Sequence, residues 1–255
     1  MNFIVSATTD IGLTKNNNQD SYNVRVLSTK QGKIVLAVLC DGMGGLSKGE
    51  VASASLVNAF CKWADSKLPA LCESRITDEA IRTDWIGIAT EYNEKIKTYA
   101  ASCGTNMGTT VTVLMLTESR YYIMNVGDTR AYEIGDSVTV LTKDQTVVAR
   151  EVELGHLTPE EAEKDSRRSV LLQCIGASDE VYPDMFLGDT KLNAVYMLCS
   201  DGFRHEITEN EIYQYLNPNV MLDADGMKRN MDALIDLNKQ RQERDNISVV
   251  SIRTF

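Results

Sequence analysis

Val35-Leu36-Ala37-Val38-Leu39-Cys40-Asp41-Gly42-Met43-Gly44-Gly45 is an unbroken apolar run that stops on a carboxylate and a set of glycines. Successive apolar residues of this kind mark a strand covered on both faces, although periodicity leaves a short buried helix as the alternative. Gly42, Gly44 and Gly45 favour a turn. A glycine backbone approaches a ligand closely, so the carbonyl of Gly42 can face the same cation as the carboxylate of Asp41. An ordinary strand-ending Asp-Gly turn is the other reading.

The same arrangement recurs further along. Ala194-Val195-Tyr196-Met197-Leu198-Cys199 is a second strand-like run, ending on Ser200, Asp201 and Gly202. Asp245 and Asn246 open a third, Ile247-Ser248-Val249-Val250-Ser251-Ile252. Aspartates so far apart in sequence converge only if their strands lie together, and convergent carboxylates are costly unless something neutralises them. A hard divalent cation does so, and oxygen ligands suit magnesium or manganese.

Bulk properties narrow the classes. A chain of 255 residues with 43% hydrophobic content can build one large domain or two small ones. No linker, repeat or low-complexity tract argues for two, so 1–255 is read as a single domain. The formal net charge of -10 opposes nonspecific binding to nucleic acid or anionic membranes. No apolar stretch reaches membrane-spanning length and the first ten residues lack the pattern of a signal peptide, which implies a cytoplasmic protein. Cysteines at 40, 61, 72, 103, 174 and 199 form no CxxC pair and read as small core residues in a reducing compartment. His156 and His205 are too few for a histidine-built metal site, and both are placed on the surface.

Local patterns then order the chain. Phe3 to Thr8 and Ser21 to Leu27 read as strands around an asparagine-rich loop, Gly12 to Asp20. Val51, Ala54, Val57, Phe60 and Ala64 follow helical spacing, with the helix stopping before Pro69. Thr77 caps a second helix whose stripe Ile81, Trp85, Ile88, Tyr92, Ile96 and Tyr99 is read as core. Thr109 to Leu116, Tyr121 to Asn125, Ala131 to Ile134 and Val138 to Leu141 have the rhythm of antiparallel strands. Capping boxes stand at Thr158 and Thr208, and a last helix spans Ala224 to about Gln242. Residues 147–176, with no strand-like run, read as a flap outside the sheets. There Arg167 and Arg168 either receive a phosphopeptide or pair with Glu161 and Glu163. Two mainly antiparallel sheets packed face to face and flanked by helices, an α+β arrangement, fit this order.

The set Asp41-Gly42-Met43-Gly44-Gly45, Gly108-Thr109-Thr110, Gly127-Asp128-Thr129-Arg130, Ser200-Asp201-Gly202 and Asp245-Asn246 resembles the metal-dependent serine/threonine protein phosphatases of type 2C, in their bacterial form. Asp10 to Asp20 is similar to that family's first motif, and the likeness runs in order from about Ser6 to Ile252. The resemblance implies a four-layer α-β-β-α sandwich and a site for two Mn2+ or Mg2+ ions, with a third possible. Asp41 would bridge the two ions, served by the carbonyl of Gly42 and by Asp20, Asp201 and Asp245. Lys15 would contact phosphate. Asp128 would either hold the third ion or stabilise a hairpin turn with Arg130. The implied substrates are proteins phosphorylated by a serine/threonine kinase, acted on by a monomer.

This chain departs from the family pattern at several points. Gln19 stands where a glutamate is usual and supplies no charge. Lys15 replaces an arginine and loses its bidentate fork. Met43 and Leu46 occupy positions where members carry a histidine, so protonation of the leaving group falls to water at the metal site. Asp144-Gln145-Thr146 replaces Asp-His-Ser. The competing functions are a catalytically weak relative that binds phosphoproteins and a hydrolase of small phosphoesters.

Overall fold

The computed structural model describes every residue of the chain apart from 31, 44–47 and 75. The chain begins with β1 (Phe3–Asp10), β2 (Asp20–Thr29) and β3 (Gly32–Met43), followed by α1 (Gly49–Ser66), α2 (Leu68–Ser74) and α3 (Asp78–Ser102). Short strands come next: β4 (Gly108–Thr109), β5 (Val111–Leu116), β6 (Arg120–Val126), β7 (Arg130–Ile134) and β8 (Val138–Val140). After α4 (Val147–Glu153) and α5 (Pro159–Lys164) come β9 (Asp184–Asp189) and β10 (Val195–Cys199). The last elements are α6 (Asp201–Arg204), α7 (Glu209–Leu216), α8 (Ala224–Gln240) and β11 (Ile247–Thr254).

The described strands form two antiparallel sheets, ordered β1-β11-β10-β7-β8 and β2-β3-β5-β6-β9, with β4 paired to β3. β3 shows why its sequence is apolar without a break. Val35, Ala37 and Leu39 face the other sheet, where they meet Tyr196, Leu198, Val250 and Ile252. Ile34, Leu36, Val38 and Cys40 face the opposite way, onto Leu56, Phe60 and Trp85 of α1 and α3. A strand buried on both faces cannot alternate with polar residues. The second sheet is covered in the same way by α6, α7 and α8, through Phe203, Ile212, Met227, Met231 and Leu234. The result is the expected α-β-β-α sandwich, with each fully buried aliphatic side chain contributing about 1.5–3 kcal/mol.

Several expectations change in detail. β9 has no counterpart among the expected strands, because only Met185, Phe186 and Leu187 are apolar in an edge strand bounded by aspartates. Pro69 lies in the first turn of α2, where its missing N–H costs nothing. Tyr99 ends the α3 stripe at 45% exposed. Cys103 is exposed, whereas the other five cysteines are buried. The tail of the expected flap is core: Ile175 is fully buried and pairs with Thr109, while Gly176 N–H donates to Asn93. Among the described residues no helix is long and apolar enough to cross a membrane.

Candidate functional site

The expected aspartates come to one end of the sandwich because each lies where a strand enters or leaves it. Asp41 ends the inner-facing series Val35, Ala37, Leu39 on β3, so its side chain points between the sheets. Asp20, the first residue of β2, stands directly opposite it in the ladder. Asp201 opens α6 with one residue between it and the end of β10, and Asp245 lies two residues before the start of β11. Asp128 sits in the tight turn between β6 and β7.

Gly42 does not turn the chain. β3 continues through Gly42 and Met43, which pair with Thr109 and Gly108 on β4. The glycine is required by close approach: a Cβ at position 42 would lie 2.4 Å from the carbonyl oxygen of Gly49 and 2.5 Å from that of Gln19. Gly42 N–H donates to Gln19 O at 3.1 Å, which draws the first loop against the end of β3. Asp41 is fixed by its own backbone, donating to Thr110 Oγ1 at 3.0 Å and accepting from Thr109 Oγ1 at 3.0 Å. The turn expected at Gly44 and Gly45, and Leu46 beyond it, lie outside the described residues.

The loop before β2 is held by Asn246. Its Oδ1 accepts from Gln19 N–H, and its Nδ2 donates to the carbonyls of Ile11 and Asn17. Gly12, at φ +77°, lets the loop pass over Asp245, since a Cβ there would lie 2.1 Å from that residue's carbonyl oxygen. Lys15 reaches back to the site, with Nζ 2.7 Å from Asp245 Oδ1, and both side chains are a little over one-third exposed. Burial alone would pull the ammonium down, but Asp245, Asp41 and Asp201 together raise its pKa.

The electrostatics show the cost of gathering these groups. Burial pushes the Asp20 carboxyl up to about 7, and Asp201 and Asp245 add to the shift. Neither of its oxygens finds a hydrogen-bond partner of full geometry among the described residues; the hydroxyls of Ser248 and Ser200 lie near enough only to soften the effect. Burial also drives Asp41 well above the carboxylate range, reinforced by Asp20, Asp201, Asp128 and Asp245. Asp201 Oδ1 and Glu50 Oε2 are likewise buried without a partner among the described residues.

Oxygen atoms of acidic side chains, buried, unbonded and mutually repelling, are the donor set a hard divalent cation takes. The residues therefore fit the implied metal ions. Among the described residues, however, no three His, Cys, Asp or Glu side chains already stand as a closed ligand group. The carboxylates are close enough to shift one another's pKa, yet like charges keep them from closing without a cation between them, and Lys15 occupies one oxygen of Asp245.

Asp128 does not pair with Arg130. Burial lifts its carboxyl to about 7, assisted by Asp201 and opposed by Arg204. Arg130 instead grips Asp144 in a bidentate pair, with both contacts at 2.8 Å. Arg204 Nη2 donates to the carbonyl of Asp128 at 3.0 Å and to Asp144 Oδ2 at 3.1 Å. Burial would raise the Asp144 carboxyl, but Arg204 and Arg130 overcome it and hold the pKa low. Asp144-Gln145-Thr146 is thus a structural clamp. Gln145 accepts from Gly127 N–H and donates to Asp184, while Thr146 caps α4.

His205 also differs from expectation. It is 13% exposed and lies between Asp201 and Glu243, because the short α6 turns it inward. His156 is exposed, as expected, beside Glu151. In the flap, Arg167 pairs with Asp165 and Arg168 reaches the carbonyl of Glu163, because Glu161 is already committed to the capping box at Thr158. A cavity of about 930 Å³ opens beside Met43, lined by Gln145, Leu172, Asp179, Glu180 and Tyr182 among others.

Comparison with known proteins agrees with this geometry. Residues 14–236 match the family described as Protein phosphatase 2C. A protein phosphatase 2C-type protein of Streptococcus pyogenes serotype M6 is 32% identical over 253 residues, covering 97% of this chain and 96% of that protein. The serine/threonine protein phosphatase PstP of Mycobacterium tuberculosis is 31% identical over 247 residues, covering 96% of this chain but 44% of PstP. Among solved structures, the Streptococcus agalactiae serine/threonine phosphatase superposes with a TM-score of 0.84 at 27% identity, over 100% of both chains. The catalytic domain of PstP in complex with two manganese ions superposes with a TM-score of 0.74 at 25% identity, over 99% of both chains. The chain belongs to the protein phosphatase 2C family. It is accordingly a metal-dependent protein phosphatase, a hydrolase.

Proposed function

We propose that this chain, as a single domain, hydrolyses phosphoserine and phosphothreonine in proteins phosphorylated by a serine/threonine kinase. The observation that carries this reading is the gathering of Asp20, Asp41, Asp201 and Asp245 at one end of the sandwich, with buried carboxylate oxygens left unbonded. Mn2+ or Mg2+ would be held by Asp41, by the carbonyl of Gly42 and by Asp20, Asp201 and Asp245, with Asp128 available for a third ion. Such ions, when bound, neutralise phosphoryl oxygens and acidify a water.

The protein's own groups do the rest. Lys15 brings an ammonium to the mouth of the site, where it can bind phosphoryl oxygens as a point charge. Cys40 and Cys199 lie nearest in sequence to Asp41 and Asp201 but are poor nucleophiles: burial pushes the Cys40 thiol well up and the Cys199 thiol to about 12. The phosphoryl acceptor in this reading is a water. Thr109, Thr110 and Asn246 hold Asp41 and the first loop in register, so the charges stay fixed while substrate enters. The cavity of about 930 Å³ beside Met43 is of a size to take a short segment of a phosphoprotein flanking the phosphorylated residue. We place the protein in the cytoplasm as a monomer that binds neither nucleic acid nor membrane.

The test is hydrolysis of para-nitrophenyl phosphate and of a phosphothreonine peptide, each with Mn2+ and with excess EDTA, against Asp41→Ala, Asp201→Ala and Asp245→Ala. Activity lost in EDTA and in each variant is expected. A phosphopeptide bound but not hydrolysed would favour the phosphoprotein-binding relative, and turnover confined to the small ester would favour the small-phosphoester hydrolase. Full activity in EDTA would overturn the metal-dependent mechanism.

A further inference from the structure

Two of the proposed metal-site carboxylates are joined by residues outside the expected motifs. Asp201 Oδ2 lies 3.5 Å from His205 Nε2, and His205 Nδ1 lies 3.3 Å from Glu243 Oε2. The other oxygen of Glu243 accepts from the N–H groups of Arg244 and Asp245, at 2.6 and 2.9 Å. The contacts therefore run unbroken from the carboxylate of Asp201 to the backbone of Asp245. Both linking side chains are largely enclosed, Glu243 at 6% and His205 at 13% exposed.

The elements that carry the two aspartates give the link its use. α6 is a single turn, Asp201–Arg204, and Asp245 sits in the connection between α8 and β11. Asp201 and Asp245 have like charge and would drift apart without a restraint. Asn238 of α8 ties that helix to α6 just before the connection, donating from Nδ2 to the carbonyl of Phe203 at 2.8 Å. Partners of this kind, one layer behind the ligands, fix ligand orientation and typically alter metal affinity when removed.

We propose that His205 and Glu243 form a positioning bridge that holds Asp201 and Asp245 at the spacing a divalent cation needs. The bridge rests on the metal centre proposed above. Neither residue touches substrate; each acts through an aspartate.

The experiment is calorimetric titration of the metal-free, full-length protein with MnCl2. His205→Ala and Glu243→Ala are expected to weaken Mn2+ binding by about 10–100-fold. The double variant should bind no more weakly than the worse single, because the two act as one link. His205→Gln serves as the second variant: it keeps size and polarity but reaches only one carboxylate at a time, and the same loss is expected. Melting in EDTA establishes which variants are folded. Wild-type Mn2+ affinity in folded His205→Ala or His205→Gln protein, or losses that simply add in the double variant, would overturn the bridge alone. If the unaltered protein takes up no Mn2+, or Asp201→Asn binds it undiminished, the proposed metal centre fails and the bridge falls with it.

Discussion

Asp20 and Asp41 are directly opposed across the antiparallel ladder of β2 and β3, so their carboxylates share one face of the sheet. The arrangement stores destabilisation that, on the proposed function, a divalent cation would relieve. Asparagine at either position removes a carboxyl that must either hold a proton or carry a buried charge, and its amide can donate to the carboxylate that remains. Asp20→Asn and Asp41→Asn are therefore expected to raise the melting temperature in EDTA at neutral pH or above, by a few degrees, since about 1 kcal/mol corresponds to roughly 2–4 °C in a chain of this size. The same variants should lose the stabilisation that Mn2+ gives the unaltered protein. A lower melting temperature in EDTA for both would show that the carboxylates are not in conflict.

The same conflict sets a pH dependence. Burial raises Asp20 to about 7, so between about pH 4 and about pH 7 the folded chain keeps a proton that the unfolded chain has released. Stability contributed in this way is present at the acid end and declines as pH rises through that window. Asp41 and Asp128 are raised for the same first cause and act in the same direction. Asp165 and Glu211, held at about 2 by Arg167 and Arg241, act in the opposite direction, but only at the acid end below about pH 5, and both are exposed pairs that solvent screens. Stability in EDTA should therefore fall from about pH 5 to about pH 7, by on the order of 1 kcal/mol per pH unit from Asp20. Saturating Mn2+ should abolish or reverse the fall. A curve in EDTA that rises over this range would contradict the reading.

Much of this was legible in the chain itself. The run from Val35 to Cys40 discloses a strand buried on both sides, because only such a strand has no polar alternation. Asp41, Asp201 and Asp245 could be singled out because each interrupts or opens a run of that kind. The register that sets Asp20 against Asp41 was not legible, since it depends on pairing between β2 and β3. Nor was the pairing of Arg130 with Asp144 rather than Asp128: both are acids a short distance along the chain, and the turn geometry decides between them. Nothing local marks His205 or Glu243, which meet only because α6 and the end of α8 pack together. β9 escaped because a short edge strand needs few apolar residues.

Lys15 gives a kinetic prediction. Its ammonium contacts Asp245 in a pair a little over one-third exposed, which contributes little to folding. Lys15→Ala should leave the melting temperature nearly unchanged and raise the Michaelis constant for para-nitrophenyl phosphate several-fold, because a lost point charge weakens phosphate binding first. Lys15→Arg should keep or lower that constant, since a guanidinium binds phosphate through two parallel hydrogen bonds. Kinetics of Lys15→Ala that match the unaltered protein would remove the residue from the site.

Residues 147–176 leave the sheets at Thr146 and return at Ile175, and the two ends of this segment should respond differently to substitution. Arg167 and Arg168 are exposed, and their partners are Asp165 and the backbone of Glu163. Exposed pairs contribute little, so Arg167→Ala combined with Arg168→Ala should leave the melting temperature almost unchanged. Ser169, Leu171 and Leu172, which follow directly, line the cavity beside Met43. On the proposed function a phosphopeptide longer than a few residues would extend along that cavity, whereas para-nitrophenyl phosphate would not reach it. The double variant should accordingly alter peptide turnover more than ester turnover. Ile175, fully buried and paired with Thr109, anchors the returning chain in the helix-covered core. Ile175→Ala should cost about 2–5 kcal/mol, lowering the melting temperature by on the order of 10 °C. Equal effects of the arginine substitutions on both substrates, or a stability loss comparable to that of Ile175→Ala, would place the whole segment in the core rather than only its tail.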